Sequence, residues 1–238
     1  MKVAVVQPYF FPYVGYIQLI KEADIFVVFD DVNFITKGWI KRNRILAQGN
    51  TTQITLPIKN ASQNKKINEL EHALDNKAKC KLLSLISHSY KKAPFYDKTF
   101  DLIQRCLNCE DKNLATFLTY SLIELSGFLD LQTKFVMSSS INSPSDFDSA
   151  QRRIIDIVKV LNGTEYINLP GGKTLYQQEA FETEALALHF IEPELSPYPQ
   201  LNTPDFIPGL SVIDMMMNTD TNALLTHQIA QADLLLAD

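Results

Sequence analysis

The chain contains few of the residues that form disulfide or metal scaffolds. Its 238 residues include only three cysteines and four histidines. An odd number of cysteines fits no closed disulfide framework. Cys106 and Cys109 form a C-x-x-C within RCLNCED, but no partner pair with zinc spacing and no thioredoxin-like context accompany them. We therefore predict no metal site and reduced cysteines near the end of a helix, with Cys80 as the third thiol.

Long apolar runs and an excess of positive charge are also missing. No stretch reaches the roughly 18 uninterrupted apolar residues of a membrane-spanning helix, and the N-terminus MKVAVVQPYF has no signal-peptide pattern. The net charge of −5 disfavours a broad nucleic-acid or anionic-membrane surface. We expect a cytoplasmic protein with no nucleic-acid partner and no membrane insertion, and the sequence leaves the oligomeric state open.

Hydrophobic residues, by contrast, are plentiful enough for a packed core. They make up 46% of the chain, and the length suits a single α/β domain over residues 1–238. Apolar runs at residues 2–7 and 25–29 flank an amphipathic stretch at 15–23, which predicts a βαβ unit with buried parallel strands. Ligands bind such units at the carboxyl ends of the strands.

Two unusual segments follow those strands. The first is QPYFFPYVGY, an aromatic loop fixed by two prolines, which suits the wall of a pocket better than a core strand or a surface loop. It supplies candidate substrate-binding residues: Gln7, Tyr9, Tyr13, Gly15 and Tyr16. The second holds Asp30 and Asp31, which would act as a general base, hold magnesium, or merely form a turn.

A charged hairpin is predicted at residues 37–58, where a QGNTT turn joins two strand-like runs. Such a hairpin is often a solvated edge. Its cations surround the only tryptophan, however, and together they offer planar donors and a stacking face for an anionic, ring-containing ligand. The candidate substrate-binding residues here are Lys37, Trp39, Arg42, Asn43 and Arg44.

Residues 75–128 show the spacing of amphipathic helices and predict a helical insertion or subdomain. His88 lies in the first of these helices. It is either a structural or exposed histidine, or the best candidate base outside the N-terminal unit.

A second βαβ unit is expected between residues 131 and 172, followed by a strand at 185–192. Its helix would be capped by Ser145, Asp146 or Asp148, and its strand at 164–168 ends in a Pro-Gly-Gly turn that serves either as a tight turn or as a phosphate cradle. Asn168, Gly171, Gly172 and Tyr176 are further candidate substrate-binding residues. Short helices are predicted at 211–218 and 221–236. The fold class is α/β, with a Rossmann-like, mostly parallel sheet and flanking helices.

The segments QPYFFPYVGYIQLIKEADIFVVFDDVNF, KGWIKRNRI, YKKAPFY, EYINLPGGKTLY and LSVIDMMMN together resemble the WbqC-like family of bacterial proteins, over nearly the whole chain. That family is associated with O-antigen and lipopolysaccharide biosynthesis. The resemblance implies transfer of an acyl or aminoacyl group, such as glycyl, to an amine on a nucleotide-linked sugar. It implies no firm cofactor, but a donor such as a coenzyme A thioester or an acyl carrier protein.

Under that reading His88, Asp30 and Asp31 are the candidate catalytic residues. Gln7, Asn43 or backbone amides near Gly15 would stabilise the oxyanion. A looser similarity to nucleotidylyltransferases places Gly15-Tyr16 where those proteins have a Gly-His pair, and tyrosine lacks the positive charge of that histidine. A magnesium-using nucleotide ligase or nucleotidylyltransferase-like enzyme is one alternative, and a non-catalytic nucleotide-sugar-binding protein is the other.

Overall fold

The computed structural model describes residues 1–142, 149–224, 229 and 232–236. Its first half comprises β1 (Lys2–Val6), α1 (Val14–Glu22), β2 (Ile25–Val28), β3 (Arg42–Ala47), β4 (Asn50–Thr55), β5 (Ile58–Lys59), β6 (Glu71–His72), α2 (Asn76–Tyr90), α3 (Tyr96–Leu107) and α4 (Leu114–Phe128). Its second half comprises β7 (Lys134–Met137), α5 (Ala150–Val160), β8 (Glu165–Asn168), α6 (Gln178–Glu182), β9 (Ala187–Pro193), α7 (Val212–Asn218), α8 (Thr221–Ala223) and β10 (Ala232–Leu236).

The central sheet has six strands in the order β10-β9-β8-β1-β2-β7. Five of them run parallel, and β10 joins the edge antiparallel to β9. This arrangement confirms the predicted Rossmann-like fold class. The two-stranded ribbon of β3 and β4 confirms the predicted hairpin, and α2, α3 and α4 fill the segment predicted to be helical.

Both faces of the sheet are buried, which explains why its strands are so uniformly apolar. Alternate residues of a strand point to opposite faces. Ala4 and Phe26 therefore belong to the core cluster that contains α1, α2, α3, α4 and α7. Val5 and Val27 belong to the second cluster, on the side of α5 and α6.

The end of the chain differs from the prediction. The helix expected at 221–236 is wrong, because residues 232–236 form the strand β10, and the described helical part of this segment is the short α8 near its start. A short apolar run such as DLLL is compatible with a buried helix or a strand, and here the open edge of β9 provides the hydrogen-bonding partner.

Two smaller expectations concern side chains near helix ends. Ser149 caps α5, and its hydroxyl accepts a hydrogen bond from the backbone N–H of Arg152 at 3.1 Å. The predicted caps Ser145, Asp146 and Asp148 lie outside the described residues. Cys80, Cys106 and Cys109 are all free thiols, as predicted, and burial raises the pKa of the Cys106 thiol to about 12.

Candidate functional site

The carboxyl edge of the parallel strands is where the fold positions a site. The chain moves outward from β1 through β2 to β7, and then continues on the other side of β1 with β8 and β9. The order therefore reverses between β1 and β8, and open α/β sheets bind ligands in the crevice at such a reversal. The aromatic loop leaves β1 at this point, and the Pro-Gly-Gly turn leaves β8 there.

The aromatic loop is held in one conformation from two sides. Phe11 has φ 42°, a left-handed conformation that is uncommon for a residue with a side chain. Its carbonyl accepts hydrogen bonds from Asn43 Nδ2 and from Ser211 Oγ, the latter at 2.7 Å. The N–H of Val212 donates to Pro12 O at 2.7 Å. The surrounding structure thus maintains a strained backbone, as is common near functional sites.

The aromatic loop and the charged hairpin meet at a surface that we call the stacking patch: Tyr9, Trp39, Arg42 and Arg44. The Arg42 and Arg44 guanidinium carbons lie 5.2 and 5.7 Å from the centre of the Trp39 ring. The Tyr9 and Trp39 ring centres are 6.4 Å apart. Trp39 is 48% exposed, although aromatic side chains of this size are usually buried. The patch therefore presents Arg44 and an aromatic face to solvent, and the half-buried Arg42 lies over the same ring.

Tyrosine hydroxyls in the aromatic loop stay protonated. Burial raises the pKa of Tyr9, Tyr13 and Tyr16. The buried Tyr16 donates to Gln7 O at 2.8 Å, so its hydroxyl is used inside the protein. A Cβ atom at Gly15 would meet the Tyr13 ring at 2.5 Å, which gives that glycine a packing reason. Tyr9 and Tyr13, which are half-buried, remain as hydrogen-bond donors near the surface.

Asp30 and Asp31 belong to a carboxylate cluster that also contains Ser138, Ser139 and Arg153. Asp30 is fully buried, directly after β2. Its carboxylate accepts hydrogen bonds from the Ser139 N–H at 2.9 Å and the Ser139 hydroxyl at 2.6 Å. It also accepts one from Asn68 Nδ2 at 3.1 Å. The strands β2 and β7 are parallel neighbours, so their carboxyl ends lie at the same edge of the sheet. The segment with Asp30 and Asp31 follows β2, and the segment with Ser138 and Ser139 follows β7.

Asp31 completes the cluster with an ion pair. Arg153 Nη2 lies 2.7 Å from Asp31 Oδ2, and both side chains are almost entirely buried. The Ser138 hydroxyl contacts Asp31 Oδ1 and lies 2.9 Å from Asp30 Oδ1, so it donates to one carboxylate at a time. Each carboxylate already has protein partners. Within the described residues no group of three or more histidine, cysteine or acidic side chains is arranged to hold a metal ion.

An open cleft of about 610 Å³, which we call the polar cleft, lies beside residues 33–37, which connect Asp31 of the carboxylate cluster to Trp39 of the stacking patch along the chain. Its polar lining comprises Asn33, Thr36, Lys37, Gln63 and Asn64. Residues 30–34 run antiparallel to 65–68, with Phe34 N donating to Lys65 O and Asn68 N donating to Asp30 O. Asn33, three residues after Asp30, forms a bridge with Lys66 in the same antiparallel arrangement. At the other end of the cleft, Lys37 O accepts a hydrogen bond from Arg42 Nη2.

The turn after β8 is organised by tyrosines. Asn168 Nδ2 donates to the Tyr166 hydroxyl at 2.9 Å, and the Tyr166 and Tyr176 hydroxyls are 3.3 Å apart. A Cβ atom at Gly172 would lie 2.7 Å from Asn168 Nδ2, so glycine is needed for this close approach. Gly171 is exposed with open space beside it. Of the four predicted residues, Gly171 is the one that faces open solvent.

His88 lies apart from the other predicted catalytic residues. It occupies the exposed face of α2, where Nδ1 donates to Ser84 O in the same helix at 2.6 Å. The helix packs against β3 and α3. Across the described residues, no hydrogen bond or ion pair joins His88 to Asp30 or Asp31.

Several residues of the edge were not predicted. The serines of the SSS turn after β7 follow the same rule as Asp30 and Asp31, since they are polar residues after a parallel strand. Asn33, Gln63 and Asn64 line the polar cleft. Asp214 of α7 is fully buried and accepts hydrogen bonds from the hydroxyls of Tyr90 and Tyr198, at 2.7 and 2.9 Å. Its segment, SVIDMMMN, indicated only core packing.

Comparison with known proteins identifies the family. The model of the WbqC-like protein family matches residues 7–226. This chain belongs to the WbqC-like family. This WbqC-like protein is 24% identical over 225 residues to the uncharacterized protein Rv1507c of Mycobacterium tuberculosis (strain ATCC 25618 / H37Rv). The match covers 93% of this chain and 95% of that protein. No solved structure matches it significantly. In the described part of the chain, no helix is long and apolar enough to cross a membrane.

Proposed function

We propose that this WbqC-like protein is a transferase that moves an acyl or aminoacyl group, such as glycyl, onto the amine of a nucleotide-linked amino sugar during the synthesis of a surface polysaccharide. The observation that carries the proposal is the continuous surface formed by the stacking patch and the polar cleft. Family membership agrees with an enzyme, and the reaction itself is our inference.

The two parts of this surface suit the two parts of such a substrate. Trp39 and Tyr9 offer ring faces to a nucleobase, and Arg42 and Arg44 offer planar donors to a diphosphate. The amides of Asn33, Gln63 and Asn64 suit sugar hydroxyls, which both donate and accept hydrogen bonds. A nucleotide on the patch would direct its sugar into the cleft, toward Asp30 and Ser139.

Ser139 is the side chain that we place at the reacting amine. It is exposed at the end of β7, while its hydroxyl donates to the buried Asp30 at 2.6 Å. The amine nitrogen forms the new bond to the acyl carbon, and the bond from that carbon to the leaving group of the donor breaks. The nitrogen passes its proton to the Ser139 oxygen, the Ser139 proton moves to Asp30, and Asp30 returns that proton through Ser139 to the leaving group, which restores the carboxylate.

Magnesium-dependent nucleotide chemistry at Asp30 and Asp31 receives less support from the same contacts. Asp31 is paired with the Arg153 cation, and Asp30 is surrounded by hydrogen-bond donors. A cation would have to displace these partners. Tyr16, at the position where nucleotidylyltransferases have histidine, is buried and donates to Gln7 O.

The test is a calorimetric titration with uridine and thymidine diphosphate amino sugars. We expect Arg44→Ala to weaken binding about tenfold, because it removes a cation from the diphosphate site. Arg105→Ala is the matched control, since Arg105 is an exposed arginine on α3 that pairs with Glu124. Equal affinities of wild type and Arg44→Ala for every amino sugar tested would contradict the proposed nucleotide site.

Turnover is tested separately with Ser139→Ala, using the tightest-binding amino sugar and a panel of acyl and aminoacyl thioesters. We expect kcat to fall about 100-fold with little change in sugar affinity, because the variant loses proton transfer but not the cleft. Ser140→Ala is the control, since the neighbouring Ser140 hydroxyl donates to Met137 O instead. Unchanged kcat in Ser139→Ala would remove Ser139 from the reaction. Tight sugar binding without turnover would favour a binding protein.

A further inference from the structure

The outer edge of β4 is an exposed strand edge. The ribbon has two strands, so β4 has β3 on one side only. Arg44 pairs with Gln53, and Arg44 O accepts from Ser211 N, on the side away from β4. Leu46 pairs with Thr51, and Leu46 N likewise points away, toward the Tyr90 hydroxyl. Arg44–Gln53 and Leu46–Thr51 are therefore non-hydrogen-bonded pairs of the antiparallel ribbon. In such pairs the backbone N–H and C=O groups of both residues point away from the partner strand.

The outward backbone groups of Thr51, Gln53 and Thr55 thus face away from the ribbon. Among the described residues, nothing accepts a hydrogen bond from their N–H groups. Natural proteins usually protect such edges with lysine, proline or a bulge. Along Asn50–Thr55 the side chains are instead short and uncharged, in the sequence NTTQIT. This edge is therefore able to accept a further strand.

A groove of about 450 Å³ runs beside this edge, which we call the β4 groove. Its floor and far wall are apolar and come from β4, the segment after it and the start of α2. The apolar lining comprises Ile54, Pro57, Leu74, Ala78, Leu82 and Leu85. From Gln53 to Pro57 an extended chain covers about 13 Å, which corresponds to four or five residues of a bound peptide.

The rim of the β4 groove is positively charged. Lys81 lines it, and Lys77 lies one helical turn earlier on the exposed face of α2. Residues 76–96 contain five lysines, at 77, 79, 81, 91 and 92, and no aspartate or glutamate. In the described part of the chain, neither Lys77 nor Lys81 forms an ion pair. This concentration of positive charge stands out in a chain whose net charge is −5.

We propose that the β4 groove binds an extended acidic segment of a partner polypeptide, which pairs with β4 as a third strand. The outward N–H and C=O groups of Gln53 and Thr55 would bond the backbone of the segment, and alternate side chains would enter the apolar groove. Acidic side chains at the ends of the segment, beside the apolar lining, would meet Lys81 and Lys77 at the rim. A second copy of this chain is disfavoured, because edge-to-edge pairing of β4 would bring two lysine-rich α2 helices together.

The test uses the full-length protein and two capped, fluorescein-labelled five-residue peptides with three central valines flanked on both sides by either glutamate or lysine. We expect saturable binding of the glutamate peptide, about tenfold tighter than that of the lysine peptide. Thr55→Pro removes one outward N–H without touching the β3 ladder, and it should weaken binding about tenfold. Thr51→Pro is the matched control, because Thr51 lies on the same edge but outside the groove.

Lys81→Glu supplies a variant on an exposed helix position that leaves the strand intact. We expect it to abolish the preference for the glutamate peptide. Equal binding of both peptides to the wild type, or equal loss in Thr51→Pro and Thr55→Pro, would overturn the proposal. A dimer in sedimentation velocity that Thr55→Pro dissociates would also overturn it, since the groove would then belong to a second copy. The absence of saturable binding at millimolar peptide would have the same consequence.

Discussion

The carboxylate cluster and the stacking patch lie at the same edge of the sheet but are built in opposite ways. Asp30 is 0% exposed and Trp39 is 48% exposed. In the cluster, each acidic group has hydrogen-bonding or ionic partners inside the protein. In the patch, Arg44 and an aromatic face are exposed to solvent. The difference teaches that the buried carboxylates hold the edge together, whereas the patch, and the exposed Ser139 within the cluster, remain available to a ligand.

The largest effect should come from opening the cluster. Arg153→Met leaves the buried Asp31 without its cationic partner, and breaking a buried ion pair costs about 3–5 kcal/mol. We expect that decrease in the free energy of unfolding in urea titrations. Lys159→Met is the control on the same helix, because Lys159 pairs with Glu184 at the surface and should contribute far less to stability than Arg153.

A loss in Arg153→Met no larger than that in Lys159→Met would mean that Asp31 finds water or another partner without Arg153. The cluster would then be open to ligands, and the contrast with the stacking patch would fail.

Removing Trp39 should affect ligand binding more than stability, which is the reverse of opening the cluster. Trp39→Ala deletes a half-exposed ring, so we expect the free energy of unfolding to change by about 1 kcal/mol or less. Binding of a nucleotide sugar should weaken about tenfold, because a base would lose its stacking partner. Trp39→Phe keeps a ring and should retain most of the affinity. A large loss of stability with unchanged affinity would make Trp39 a packing residue.

Much of this edge was predictable because parallel strands impose a local rule. The apolar runs at β1 and β2 predicted buried parallel strands. The carboxyl ends of those strands predicted that the aromatic loop and Asp30 lie at the binding edge. Tyr9 and Trp39, which were predicted separately as substrate-binding residues, have ring centres 6.4 Å apart, a contact that the sequence did not indicate.

The partners of the carboxylates were not predictable in the same way. Arg153 lies 122 residues from Asp31 in sequence, and helical spacing identified only its apolar neighbours as buried. The role of Asp214 depends equally on tertiary contacts, with Tyr90 lying 124 residues away. Pairing between distant segments leaves no periodic signal in one sequence. The strand β10 was missed because its partner edge exists only in the folded sheet.

The smallest expected effect concerns Asp214, which links buried and exposed regions. Its carboxylate accepts hydrogen bonds from Tyr90, Tyr198 and Gln200. The segment that contains Tyr198 and Gln200 continues to Gly209, whose carbonyl accepts a hydrogen bond from Arg44 Nη2 at 3.4 Å. Burial raises the pKa of Asp214, although the hydrogen bonds from Tyr90, Tyr198 and Gln200 act in the opposite direction. The folded protein therefore holds this proton at pH values where the unfolded chain has released it.

The stability contributed by that proton is complete below about pH 3.8, the usual pKa, and is lost as the pH rises through the higher folded pKa. The Asp214→Asn variant has no titrating group at this position. As the pH rises from about 3.8 through the folded pKa of Asp214, the wild type should therefore lose unfolding free energy relative to the variant. Urea titrations at half-unit pH steps measure it. Asp205→Asn, an exposed position in the segment before α7, should show no such trend. A pH-independent difference for Asp214→Asn would mean that the tyrosine hydroxyls stabilise the charged carboxylate as well as the neutral acid.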